Sequence, residues 1–302
     1  RNTTGENILY SSFQERPKHL DPVRSYSSNE YAFLAQIYEP LFQYHYLKKP
    51  YELIPLTASK LPDIKYLNNE LKITKNYNEV HYTKYILNIK KGILYQNHPA
   101  FYKENGNYYY HALSNKDLAN INTLKDFKKE STRELIADDY IYQIKRLADN
   151  SNHSPIAGVM QEYILGFNEY KEKLSNLENQ NAKDKIDFMK VNQISGIKKI
   201  DNYTFSIILK KQSPQFVYWL AMPFFSPMPW EADLFYNQKI LKNKNITLNW
   251  YPIGTGPFKL TENNPNLRMV LKKNENFRGE VYPSLKDKIE NKKLISINKE
   301  KV

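Results

Sequence analysis

The residues best suited to acid–base chemistry are two adjacent carboxylates, Asp138 and Asp139. They open a segment, Ala137–Ala148, in which apolar residues recur at helical spacing, so both are predicted to lie in the first turn of a helix. Neighbouring residues on a helix do not face each other and make poor acid–base partners. The helix dipole favours carboxylates in the first turn and cations, here Lys145 and Arg146, in the last. We therefore interpret the pair as helix-end residues.

Patterns that hold metals or activate nucleophiles are missing. The six histidines include no convincing pair on one helix face, and no His-Glu-x-x-His occurs. The chain has no cysteine, which excludes thiolate zinc sites, disulfides and cysteine nucleophiles. The serine elbow Gly-x-Ser-x-Gly is absent too. We expect no metal, no cofactor and no catalytic residues, and the sequence favours a binding protein over an enzyme.

One short stretch, Gly254-Thr255-Gly256, has the glycine content of a phosphate-binding loop. Pro257 follows at once and removes a backbone N–H where a phosphate cradle needs a donor. The Lys-Ser/Thr pair of the nucleotide-binding loop does not follow either. We predict a tight turn between two strands here.

Length and charge narrow the class of protein further. The 302 residues are 41% hydrophobic and 25% charged, which suits a folded protein of about two domains. The apolar run at 216–225 is interrupted by Pro223 and is shorter than the roughly 18 residues of a membrane-spanning helix. The net charge of +12 comes mainly from Lys residues spread along the chain. We interpret the charge as a compositional bias, which leaves nucleic-acid binding as a remote alternative.

The elements that must position any site follow from periodicity and breakers. Strands are predicted at 8–13, 80–89, 203–209 and 267–271. Helices are predicted from the N-cap Asn29 to Pro40, over Ala137–Ala148 and at 158–177. Residues 95–129 are predicted to be an irregular insertion, and 178–185 a polar linker. Helices and strands alternate without an internal repeat, so the fold class is α/β or α+β.

Three separated stretches carry a resemblance to one family. They are His19-Leu20-Asp21-Pro22 with Ile37-Tyr38-Glu39-Pro40-Leu41; Ala137–Tyr142 with Arg146-Leu147-Ala148 and Ser154-Pro155; and Gly254–Phe258 with Val270–Asn274 and Phe277. In this order they resemble the family 5 extracellular solute-binding proteins, the peptide- and nickel-binding components of ABC importers. Each stretch alone is weak, whereas the ordered set is specific.

The resemblance implies an α/β fold, the type II-like periplasmic binding protein of the oligopeptide-binding subclass. Such a protein has two lobes, with an extra small α/β domain inserted in the first. Mapped onto this chain, residues 1–45 and 230–302 would belong to lobe I and residues 46–229 to the inserted domain. Family members continue much further. We therefore expect an incomplete first lobe and a second lobe absent from this chain.

The resemblance also implies a function and a site. The chain would be a periplasmic solute-binding subunit, exported although no leader is present in this sequence. It would capture peptides in a cleft closed by lobe movement and deliver them to the membrane permease. The residues expected to face the ligand are Tyr26, Ser27 and Ser28 after the first motif, and Ile156, Ala157 and Gly158 after the second. In relatives, the acidic residue that binds the peptide amino terminus lies in the half of the protein that this sequence does not include.

Two other interpretations stay open. The chain could work with a second polypeptide that supplies the missing lobe, because half a lobe leaves an apolar face uncovered. It could equally be an inactive fragment.

Overall fold

The computed structural model describes residues 7–13, 15–177, 180–264 and 266–280. The helices are α1 (Ser28–Ile37), α2 (Ala137–Ala148), α3 (Ala157–Tyr163), α4 (Phe167–Ser175), α5 (Ala182–Val191), α6 (Phe216–Trp219), α7 (Trp230–Tyr236) and α8 (Lys239–Lys242). The strands are β1 (Phe42–Tyr44), β2 (Leu53–Pro55), β3 (Asp63–Leu67), β4 (Tyr82–Asn88), β5 (Lys103–Glu104), β6 (Asn107–Tyr108), β7 (Ile197–Asp201), β8 (Thr204–Leu209), β9 (Phe258–Asn264) and β10 (Arg268–Lys273). The class is mixed α/β, as predicted.

The largest sheet is antiparallel with strand order β3-β4-β8-β7. In β4 every second side chain is buried, which is the pattern of a strand with one face on a core. Helix α2 packs on this sheet, where Tyr140 stacks on Phe205 of β8 with ring centroids 5.9 Å apart. The remaining strands form the two-stranded pairs β1-β2, β5-β6 and β9-β10.

Helix α2 has the predicted bounds but a different environment. Every one of its residues except Asp138 is buried. Lys145 and Arg146, expected to complement the dipole at a helix end, are therefore core residues. Buried charges need partners, and those partners organise the candidate site.

Some predicted elements are wrong in their bounds. The helix expected at 158–177 is divided into α3 and α4, because the backbone is extended at Ile164 and left-handed at Gly166, which has a φ of +76°. The N-cap of α1 is Ser27 rather than Asn29. Helix α5 begins inside the predicted linker 178–185, of which 178 and 179 lie outside the described residues.

Two strand-related predictions also fail. Residues 8–13 are in no sheet formed by the described residues, and their side chains are exposed. The Gly254–Pro257 turn lies between a loop and β9, not between two strands. The insertion at 95–129 is largely irregular, as predicted, apart from the β5-β6 hairpin and short 3₁₀ turns. In the described residues no helix has the length and apolarity to cross a membrane.

Candidate functional site

The first two sequence motifs meet at a buried ion pair. Arg146 of α2 donates two hydrogen bonds to Asp21, of 3.0 and 2.7 Å, and its Nε lies 3.3 Å from Asp233 of α7. The Arg146 side chain is 2% exposed. Burial opposes its charge, but Asp21 and Asp233 raise the pKa of the Arg146 guanidinium above its usual value. The pairs fix the loop that starts at Asp21 against the core helix.

That loop leads to Tyr26, Ser27 and Ser28, and Glu30 holds it in one conformation. The Glu30 carboxylate accepts hydrogen bonds from the backbone N–H of His19, Tyr26 and Ser27, at 2.8, 3.0 and 3.2 Å. The Ser27 hydroxyl accepts from the Glu30 N–H in return, which forms a capping box at the start of α1. Burial would raise the pKa of Glu30, yet these hydrogen bonds hold it below its usual value. These hydrogen bonds define the conformation of the loop before α1.

The second loop follows α2 and is tied to the first. Asp149 accepts from the N–H and hydroxyl of Ser151, and Lys185 donates to both residues at 2.9 and 3.0 Å. The Arg24 guanidinium donates to the Ser151 carbonyl at 2.8 Å. Arg24 lies just before Tyr26, and the Ser151 loop leads to Ile156. The two segments predicted to face the ligand therefore follow directly after two loops that contact each other.

Accessibility differs among the six predicted residues. Ser27 and Ser28 are exposed, and Tyr26 is 77% exposed. Gly158 is exposed with open space around it, and Ala157 is half-buried. Ile156 is 2% exposed and belongs to the core. Their contact with a ligand stays a prediction.

The third motif packs against the end of the first. The Gly256 N–H donates to the Ile37 carbonyl at 2.8 Å, and an added Cβ on Gly254 would lie 1.9 Å from the same oxygen. Glu39 accepts from the Thr255 hydroxyl and from two guanidinium nitrogens of Arg278, each at 2.8 Å. The glycine-rich turn is therefore filled by the protein's own backbone.

A further buried cluster could not be read from the sequence. Arg133 is bidentate to both Asp139 and Glu231, with distances between 2.6 and 2.8 Å. Asp139 also accepts from the Ile136 N–H at 3.1 Å. Burial raises the pKa of Asp139 although Arg133 opposes the shift. Asp139 is therefore a helix-end residue, as predicted, and also half of a buried ion pair.

The two clefts found on the surface lie away from the six predicted ligand residues. An open cleft of about 630 Å³ is lined by residues that include Asn88, Lys91 and Tyr203, and a second of about 330 Å³ by residues that include Lys103 and Arg133. Neither cleft contains a predicted ligand residue. Among the described residues, no three His, Asp or Glu side chains are placed to hold a metal ion.

Comparison with known proteins gives one family. The model for bacterial extracellular solute-binding proteins, family 5 Middle, matches residues 125–293. The periplasmic oligopeptide-binding protein OppA of Salmonella typhimurium is 29% identical over 141 residues, which are 47% of this chain and 22% of that protein. The chain thus spans about a fifth of this curated relative.

Most of the chain aligns with solved structures of similar fold. The Helicobacter pylori periplasmic binding protein DppA, in complex with the peptide STSA, matches 88% of this chain and 38% of its own, with a TM-score of 0.54 and 18% identity. The Escherichia coli murein tripeptide binding protein MppA gives the same coverages, a TM-score of 0.55 and 16% identity. The fold is that of part of a type II periplasmic binding protein.

Proposed function

Because the chain belongs to the family 5 bacterial extracellular solute-binding proteins, we propose that it forms one side of a peptide-binding cleft. In this proposal it is part of the periplasmic solute-binding subunit of an ABC importer. Lobe movement closes the cleft, and the closed form delivers the peptide to the membrane permease. The protein performs no catalysis in this role.

The observation that carries the proposal is the joining of the loops that lead to the two segments predicted to face the ligand. The Arg146–Asp21 ion pair and the Arg24–Ser151 hydrogen bond bring the loops before Tyr26 and before Ile156 together. Hydrogen bonds and ion pairs hold the loops, whereas Tyr26, Ser27, Ser28 and Gly158 are exposed. A preformed, accessible surface binds with a smaller entropic cost than a flexible one.

The chemistry of the accessible residues suits a peptide. Ser28 presents a hydroxyl, and Gly158 leaves its backbone open to approach. Peptides are held chiefly through backbone hydrogen bonds, with water filling the space around varied side chains. The Ser27 hydroxyl accepts the Glu30 N–H and keeps its own O–H available to donate.

Saturation-transfer NMR with unlabelled di- to nonapeptides tests the proposal on the 302-residue chain, because the method detects weak binding. We expect saturation transfer to peptides, and weaker transfer in Arg24→Ala, which removes the direct hydrogen bond between the two loops. Arg268→Ala, which removes an exposed ion pair with Glu262, is the matched control. Absence of transfer across the whole peptide series would remove the peptide assignment.

A second candidate is that the cleft is completed by a separate polypeptide. Large apolar side chains are exposed on both segments assigned to lobe I, with Leu9 94% and Leu267 76% exposed. A contiguous exposed apolar patch favours association with a partner, so this candidate requires these side chains to be covered together by the second polypeptide. Size-exclusion chromatography with and without the product encoded downstream tests this idea, and failure to co-elute would contradict it.

A further inference from the structure

Two cations contact one residue of the loop that leads to the second segment predicted to face the ligand. The Arg24 guanidinium donates to the Ser151 carbonyl at 2.8 Å, and Lys185 of α5 donates to the Ser151 hydroxyl at 3.0 Å. Lys185 also forms an ion pair with Asp149 at 2.9 Å, so its charge is balanced. The charge of Arg24 is not balanced by this carboxylate.

The other acidic side chains of this region have partners of their own. Asp21 pairs with Arg146 at 2.7 Å. Asp233 lies 3.3 Å from Nε of Arg146 and accepts the Tyr142 hydroxyl at 2.7 Å. In the described part of the chain, therefore, none of these carboxylates forms an ion pair with Arg24.

A third cation adds to the unbalanced charge. Lys242 of α8 is exposed. Burial lowers the pKa of Lys242; Asp233 opposes this shift, whereas the positive charges of Arg24 and Lys185 add to it. Exposed charges affect one another chiefly within about 10 Å, so Lys242 lies close to both cations. We name Arg24, Lys185 and Lys242 the basic cluster, and a bound anion would relieve the repulsion within it.

The basic cluster lies beside the first segment predicted to face the ligand. Arg24 is half-buried and comes two residues before the exposed segment Tyr26–Ser28. Two residues of extended chain span about 7 Å at most, so one end of a peptide on Tyr26–Ser28 can reach the guanidinium. Only Nη2 of Arg24 donates to Ser151, which leaves Nε and Nη1 as donors. A planar guanidinium binds a carboxylate through two parallel hydrogen bonds.

From this placement of charges, and resting on the proposed function, we infer that the basic cluster binds a carboxylate of the captured peptide. Arg24 donates the hydrogen bonds, and Lys185 and Lys242 add attraction at longer range. The carboxylate belongs either to the carboxyl terminus or to an acidic side chain, since both present the same two oxygens. The chain then favours peptides with a free carboxylate over neutral peptides of the same size.

The test uses two matched pairs of peptides: tetra-alanine with a free carboxyl terminus and its amide, and tetrapeptide amides with a central Glu or Gln. NMR titration of the 302-residue chain gives the four affinities. One net hydrogen bond to a carboxylate is worth about a three- to tenfold gain in affinity, which is the advantage we expect for the acidic member of a pair. High salt should reduce this advantage, because it screens the charges.

Substitutions then assign the advantage to the basic cluster. In Arg24→Gln and in Lys242→Gln, the affinity ratio within each pair should fall towards one. Arg24→Gln also loses the contact with Ser151, which weakens all four peptides alike, so the ratio reports on the carboxylate and the absolute affinity does not. Lys198→Gln, at an exposed lysine of β7, is the matched control and should keep the wild-type ratio.

The outcomes separate the inference from the proposed function. An advantage confined to the free terminus, or to the Glu side chain, supports the inference and identifies the source of the carboxylate. Equal affinities within both pairs would leave peptide binding intact and overturn the inference. An advantage that survives both substitutions would overturn it too, because the carboxylate would then bind elsewhere. If none of the four peptides binds, the proposed function fails together with the inference.

Discussion

The Asp21–Arg146 pair lets the structural role of the first two motifs be tested quantitatively. Asp21→Asn keeps the size of the side chain and leaves an oxygen that can accept the Val23 N–H, which donates to Asp21 at 3.1 Å. It removes the negative charge that faces Arg146 across 2.7 Å. The substitution therefore isolates the ion pair from the packing around it.

The expected loss of unfolding free energy follows from the burial of the Asp21–Arg146 pair. Breaking a buried ion pair by removing one partner costs about 3–5 kcal/mol, because the remaining charge is left uncompensated. Here Asp233 remains 3.3 Å from Nε of Arg146, and Gln143 still accepts a hydrogen bond at 3.1 Å. We therefore expect the lower end of that range, about 3 kcal/mol of lost unfolding free energy.

Urea unfolding followed by tryptophan fluorescence measures this loss. Glu262→Gln breaks the exposed pair with Arg268 and serves as the control, for which we expect a change of about 0–1 kcal/mol. Asp21→Asn should also weaken peptide binding, since the Tyr26 loop starts at Asp21. A loss for Asp21→Asn no larger than that of the control would refute the claim that this pair anchors the loops.

Two further predictions concern stability. Gly254→Ala should cost about 1–3 kcal/mol of unfolding free energy, because its Cβ would collide with the Ile37 carbonyl. Gly158→Ala, in open space on α3, should leave the free energy of unfolding unchanged or raise it in the same urea titration. An equal loss of unfolding free energy in the two variants would contradict the packing described for Gly254. Burial lowers the pKa of His98 to about 3, below the 6.5 of an unperturbed histidine. Between these pH values the unfolded chain binds a proton that the folded chain does not, so stability should fall as the pH is lowered from 6.5 towards 3. This slope should be smaller in His98→Gln when the urea midpoint is measured against pH, and identical slopes would contradict the assignment.

Local signals were sufficient for some elements. Helix α2 has the predicted bounds because its apolar spacing and its acidic first turn lie within the helix itself. The strand predicted at 8–13 shows the limit of such signals. A strand needs a partner, and in the described ranges residues 8–13 pair with no other strand.

Long-range contacts explain what the sequence could not predict at the site. Arg146 and Asp21 are 125 positions apart, and Arg133 and Glu231 are 98 apart. No periodicity links residues at such separations, and local pattern alone predicts Arg146 as a helix-end cation. The family resemblance includes both motifs but does not explain why they occur together. The buried Arg146–Asp21 ion pair explains it, because it joins one motif to the other.

The most direct test of the central claim is photo-crosslinking of a peptide to the 302-residue chain. A short peptide with a benzophenone side chain is irradiated with the protein, and the adducts are mapped by proteolysis and mass spectrometry. We expect adducts at Tyr26–Ser28 and at Ala157–Gly158, and fewer of them in Arg24→Ala. Adducts confined to the cleft around Asn88 and Tyr203, or none that unlabelled peptide competes away, would contradict it.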